Sequence, residues 1–239
     1  MATAYDLVMA RWKVELLGDT PDTAVVAALF TGPELRVLHD EGRFLLEAHE
    51  LEDLQHHSDV LRIARDIVTR MNGATRLEHG SYRNVKVGPV HESRADGTRA
   101  TTVFVEPATI DVRASVFRPT IVGRVTTESV ATPTSRFVEI ASHDQDAHEA
   151  LDLWADAQHN WMNLYKVFEI IRSRGGASLG GARSKDLSRF KHTANHQKAG
   201  GRDARHARLG TDPPKDPMSL VEADQFVGRL LESWLQSLS

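Results

Sequence analysis

Leu35-Arg36-Val37-Leu38-His39-Asp40-Glu41-Gly42-Arg43-Phe44-Leu45-Leu46-Glu47-Ala48 is two short apolar runs around a polar, glycine-containing centre. Residues 35–38 and 44–48 read as strands, and His39 to Arg43 as the turn between them. Gly42 supplies there the positive φ that side-chain-bearing residues resist. A hairpin at this point makes the N-terminal part a sheet, and its neighbours agree. Arg11 to Leu17 alternates, with Trp12, Val14 and Leu16 on one face. Tyr82 to Val90 and Ala100 to Val105 alternate around Ala95-Asp96-Gly97, a second hairpin signal. Ala108 to Phe117 reads as one more strand before Pro119. One main helix interrupts them: Ser58 as N-cap, then Leu61, Ala64, Ile67, Val68 and Met71 at helical spacing, with Asn72-Gly73 as the stop.

Beyond about Thr134 the pattern changes. Thr120 to Ser135 is a last strand or a connector, and from Arg136 the period is helical. Asp146 to Ala157 carries Ala147, Leu151 and Trp154 on one face. Trp161, Leu164, Tyr165, Phe168 and Ile171 form a second stripe that ends at Gly175-Gly176. Core packing is the reading of this aromatic stripe, ahead of a base-stacking platform. Ser184 to about Asn195 is a short helix. After Pro217, Ser219 and Glu222 form a capping box for a last helix whose apolar residues run from Leu220 to Leu235. The fold expected is therefore α+β: residues 1–134 a mostly antiparallel sheet with one main helix, and residues 136–239 an all-helical bundle carrying a loop-rich basic insertion at 172–210.

Composition removes several function classes. The chain has 239 residues, 41% hydrophobic and 26% charged, which suits a folded protein and not a disordered or fibrous one. No apolar run approaches the roughly 18–20 residues of a membrane span, and the first residues lack a charged-then-apolar leader, so no membrane partner and a cytoplasmic location are expected. With no cysteine there is no disulfide, thiol nucleophile, iron–sulfur cluster or cysteine-ligated zinc. Gly175 to Gly181 is glycine-rich but lacks GxxxxGK[ST] and follows a helix, so it reads as a linker. His56-His57 with Asp59 lacks a metal-ligand spacing and reads as a surface helix start. No GxSxG marks a serine nucleophile. Neither a metal nor a cofactor is expected.

The charge is not evenly spread. Ten of the 29 Lys and Arg but only two of the 33 Asp and Glu fall between Arg172 and Arg208, so that stretch carries +8 and the rest of the chain −12. Such a block suits phosphate or another anion. Within it lie Arg189, Lys191, Asn195 and His196, then Lys198, Arg202, Arg205, His206 and Arg208, with Arg183 and Lys185 just before. Histidine exchanges a 2′-hydroxyl proton near neutral pH, and arginine stabilises charge growing on phosphorane oxygens, so the cluster suits RNA cleavage. On a helix, residues seven apart face the same way about 10 Å apart, and residues four apart about 6 Å. Arg189 with His196 is the first case, and Arg202 with His206 the second.

These residues resemble the HEPN superfamily of helical bundles over about Arg136 to Ser239, in that an arginine is followed within a few positions by a histidine. The spacing R-x(4–6)-H occurs three times, at Arg43/His49, Arg136/His143 and Arg189/His196. Its setting among helices and positive charge singles out the last, while Arg202-Asp203 brings a polar follower and His206. The resemblance implies a metal-independent endoribonuclease of bacterial defence or toxin systems, without a cofactor. It also implies a homodimer with two motifs facing each other, for which the apolar last helix is the expected interface. In such a site His196 or His206 is the base and Arg189 or Arg202 the oxyanion stabiliser. Asn195 and Arg205 position the phosphate, and Lys191, Lys198, Arg208, Arg183 and Lys185 bind the RNA backbone.

Two other functions fit the same residues. One is a binding module for nucleic acid or a phosphorylated ligand that performs no chemistry. The other is a protein–protein assembly or sensor component whose acidic parts dock a second protomer's basic stretch. A structural use of the same side chains also competes with catalysis: Arg189 and His206 would pair with carboxylates such as Glu169 or Asp152 and tie the loop to the bundle.

Overall fold

The computed structural model describes residues 11–93, 99–103, 132–156, 158–174, 182–205 and 212–238. They form an α+β protein whose five strands make one antiparallel sheet. The chain divides into two units, Met1–Val68 with Val85–Thr132, and Thr69–Asn84 with Pro133–Ser239.

In the first unit, β1 (Trp12–Leu17), β2 (Leu35–Asp40), β3 (Arg43–Ala48), β4 (Lys86–Ser93) and β5 (Arg99–Thr102) lie in the order β2-β3-β1-β4-β5. The hairpin that decides the fold is tighter than five residues. Asp40 pairs with Arg43, so the loop is Glu41-Gly42 alone, with φ of 49° and 78°. Positive φ at both central residues is the turn whose twist matches that of the strands it joins. Register places Val14 beside Leu46 and Val90, and all three are fully buried with Trp12. The opposite face carries charge: Glu47, 5% exposed, is held by Lys13 at 2.9 Å and Arg36 at 2.5 Å.

Two elements depart from the sequence reading here. A helix, α1 (Thr20–Leu29), follows β1 and buries Thr23, Val26 and Leu29, with Pro21 in its first turn. The short α2 (His49–Glu52) follows β3. Tyr82 lies outside β4 and donates to Asn72 Oδ1 at 2.5 Å. The strand expected over 108–117 lies outside the described residues.

The main helix, α3 (His57–Glu78), runs through Asn72-Gly73 instead of stopping there. The glycine serves packing. A Cβ on Gly73 would meet the carbonyl oxygen of Leu151 at 2.2 Å, so only glycine lets the two backbones approach this closely. The first half of α3, with Val60, Leu61, Ala64, Ile67 and Val68 buried, belongs to the sheet unit. Its second half, with Met71 and Ala74, belongs to the helical one.

After the sheet, the helical unit resumes at α4 (Pro133–His143), slightly ahead of Arg136. It continues with α5 (Gln145–Trp154), α6 (Trp161–Ser173), α7 (Ser184–Asn195), α8 (Gln197–Gly200) and α9 (Leu220–Ser237). Three of these starts carry a side-chain cap from an Asp, Asn or Ser. Asp144 accepts from the amides of Asp146 and Ala147, Asn160 from Asn163, and Ser219 from Glu222, completing the capping box. The α6 stripe of Trp161, Leu164, Tyr165, Phe168 and Ile171 is buried, as core packing requires. Phe190 of α7 sits fully buried among Trp161, Tyr165, Phe168 and Phe226, with ring centroids 5.2–6.2 Å away. On α9, Ala223, Phe226, Val227, Leu230, Leu231, Trp234 and Leu235 are likewise buried, which takes the apolar face proposed for a dimer into the unit itself. No helix among the described residues is long and apolar enough to cross a membrane.

Candidate nucleic-acid interface

Helix α7 carries much of the basic stretch, and its apolar side explains its place. Phe190, Thr193 and Ala194 face the core, and Arg183, Lys185, Lys198 and Arg202 are exposed. Thr193 Oγ1 accepts from the Met218 amide at 3.0 Å and fastens the segment before α9 to α7. Past Asn195 the chain folds back. Gly201 takes a φ of 66°, a short 3-10 turn spans Gly201–Asp203, and the Arg205 amide donates to Ala194 O at 2.9 Å.

Arg189 is spent on structure. Its guanidinium donates to Glu222 at 3.2 and 3.3 Å and to the carbonyls of Asp216 and Pro217 at 3.0 and 3.1 Å. His196 does not continue the helix. It takes extended backbone after Asn195, is 4% exposed, and accepts at Nδ1 from the Lys198 amide. That lone pair is therefore committed to capping α8, which leaves Nδ1 without the capacity a base needs. The helical geometry assumed for Arg189 and His196 ends one residue short. Arg202 lies in the 3-10 turn and Ala204 is extended, so no helix joins Arg202 toward His206. His206 and Arg208 lie outside the described residues.

Another histidine of this unit is equally occupied: His159 is held between Asp224 at Nδ1 and the Trp154 carbonyl, 3.0 Å from Nε2.

The structure does bring Asn195 and Arg205 together, around a residue assigned only to the core. Tyr165 Oη accepts from Asn195 Nδ2 at 3.5 Å and from Arg205 Nη1 at 3.4 Å. The Arg205 guanidinium stands 4.7 Å from the Tyr165 ring centroid, and its Nη2 lies 3.0 Å from Glu169 Oε1. Asn195 also donates to Lys191 O at 2.8 Å. A signal for Tyr165 and Glu169 existed: a tyrosine in an apolar stripe brings a polar tip, and a carboxylate four residues on shares its helical face.

The other cations of the stretch divide into paired and unpaired among the described residues. Arg174 pairs with Asp144 and Asp146, Arg189 with Glu222 and Asp216, and Arg205 with Glu169. Arg172, Arg183, Lys185, Lys191, Lys198 and Arg202 have no carboxylate partner among the described residues, and all but half-buried Lys191 are exposed. The structural use weighed for Arg189 is thus present with different partners, and Glu169 serves Arg205.

No family model matches the chain, and no curated protein or solved structure matches it either. The class that fold and surface define is an α+β chain of two units, a five-stranded antiparallel sheet and a helical unit with surplus positive charge on one stretch.

Proposed function

We propose that this protein binds RNA through the cations around α7 and does so without cutting it. The observation that carries the reading is the set of six cations between Arg172 and Arg202 without carboxylate partners among the described residues, in a chain whose remainder is net negative. Arg183 and Lys185 stand at one end of α7, Lys198 and Arg202 beyond the other, and a 12-residue helix is about 18 Å long. That reach covers several backbone phosphates of one strand. The HEPN-like reading stays within this proposal as a kinship of the helical unit. Scission is left out because Arg189 and His196 are committed to holding α9 and α8. A homodimer of the HEPN kind uses surfaces other than the apolar face of α9, which is buried within the unit.

The test is a gel shift of end-labelled single-stranded and structured RNA in EDTA across a salt series, with strand integrity read on the same gel. A salt-sensitive shift of intact RNA is the expected result. Scission abolished by His206→Ala would replace the proposal with the ribonuclease reading. No shift at low salt would leave the assembly role.

A further inference from the structure

The three paired arginines among the described residues of the basic stretch are not alike. Asp144, which holds Arg174, caps α5, and Glu222, which holds Arg189, belongs to the capping box of α9. Glu169 is in the middle of α6 and caps nothing; among the described residues its partner is Arg205. Arg205, in turn, needs no carboxylate to stay in place. Its backbone amide is bonded to Ala194 O, its guanidinium lies over the Tyr165 ring, and its Nη1 reaches the Tyr165 hydroxyl. The fork is held on one side by a buried aromatic residue, while the pair it makes with Glu169 is 38% and 44% exposed.

We propose that Glu169 occupies on Arg205 the place of an RNA phosphate, so that RNA binding displaces the carboxylate while Tyr165 keeps the guanidinium aimed. The Nη2 that faces Glu169 Oε1 can face a phosphate oxygen in the same way, since both groups offer charged oxygen acceptors to a guanidinium. Releasing Glu169 undoes no helix cap. Glu169 then lowers affinity by competition, and Tyr165 is a positioning residue. This inference rests on the RNA-binding reading above.

The experiment is a double-mutant cycle in RNA binding, using the full chain, a single-stranded RNA oligonucleotide and EDTA. Glu169→Gln is compared with Asp203→Asn, which makes the same charge change on the exposed 3-10 turn two residues from Arg205. An exposed pair is worth little, so Glu169→Gln is expected to tighten binding roughly threefold more than Asp203→Asn. In an Arg205→Ala background that advantage disappears; Arg205→Gln serves if the alanine variant does not fold. Equal effects of the two neutral substitutions, or an advantage that persists without Arg205, overturn the competition while leaving RNA binding standing. Absence of binding in every variant overturns both.

Discussion

Arg189 and Glu222 meet through two guanidinium–carboxylate contacts, of 3.2 and 3.3 Å, although 33 residues separate them. The same carboxylate accepts from the Ser219 amide at 2.7 Å, and the same guanidinium satisfies the carbonyls of Asp216 and Pro217. One pair therefore fixes the first turn of α9 and the strap leading into it.

That pair is sensitive to acid. Hydrogen bonds from Ser219, and after them Arg189, hold the Glu222 carboxyl below its ordinary value of 4.5. A lowered folded-state pKa means that the stabilisation is complete above that ordinary value and lost as pH falls through the folded one. Thermal unfolding between pH 7 and pH 3 should show Glu222→Gln less stable at neutrality, with its deficit against wild type narrowing below about pH 4.5. A deficit constant across the range would contradict it.

Stability and RNA binding should separate by residue. Arg189→Ala is expected to lower Tm and leave the salt slope of RNA binding unchanged. Lys198→Ala with Arg202→Ala is expected to leave Tm within a few degrees and to reduce the slope by about 1.4 for single strands, two phosphate contacts at about 0.7 each. The two readouts are a melting curve and a binding titration at several salt concentrations.

Gly73→Ala should be costly for a single methyl group. Its Cβ would lie 2.2 Å from the Leu151 carbonyl oxygen, a backbone atom with no rotamer to escape into. Urea unfolding is expected to show a loss of about 3 kcal/mol, despite the better helix propensity of alanine. Gly80, with nothing within 4 Å of its added Cβ, is the control. Its alanine variant should stay within about 0.5 kcal/mol of wild type.

Phe190 is the contact through which α7 joins the bundle, touching aromatic rings of both α6 and α9. Phe190→Ala is expected to cost about 3–5 kcal/mol. It should also weaken RNA binding, since the cations lose their shared support. Unchanged stability by urea unfolding would contradict the packing argument.

What could be read from residues alone was what neighbouring residues decide. Gly42 marked its hairpin, Ser184 and Asn195 bounded their helix, and Ser219 with Glu222 announced the last one, because each signal acts within a few positions. Helix α1 escaped notice because Val25, Val26, Ala27 and Ala28 run together without a polar face, and its local marks are confined to the start, at Asp19, Pro21 and Asp22. Asn72-Gly73 misled for a physical reason: a glycine that ends a helix and one that admits another backbone look identical until Leu151 is in place. The site was legible in its charge and not in its pairing. Asn195 and Arg205, both read as phosphate-positioning residues, meet at the Tyr165 hydroxyl. Which arginines were already spoken for depended on Glu222, Asp216 and Glu169, and no local pattern joins those to their partners.

The 22-residue helix α3 has one further consequence. Its early turns complete the sheet unit, while Asn72, Gly73 and Met71 belong to the helical one. A gene fusion that exchanged residues 1–134 for another cassette would remove the glycine that accommodates Leu151 and the Tyr82–Asn72 bond together. A junction at residue 134 therefore cuts through the helical unit, and only an exchange that keeps residues 69–84 with 133–239 leaves that unit whole.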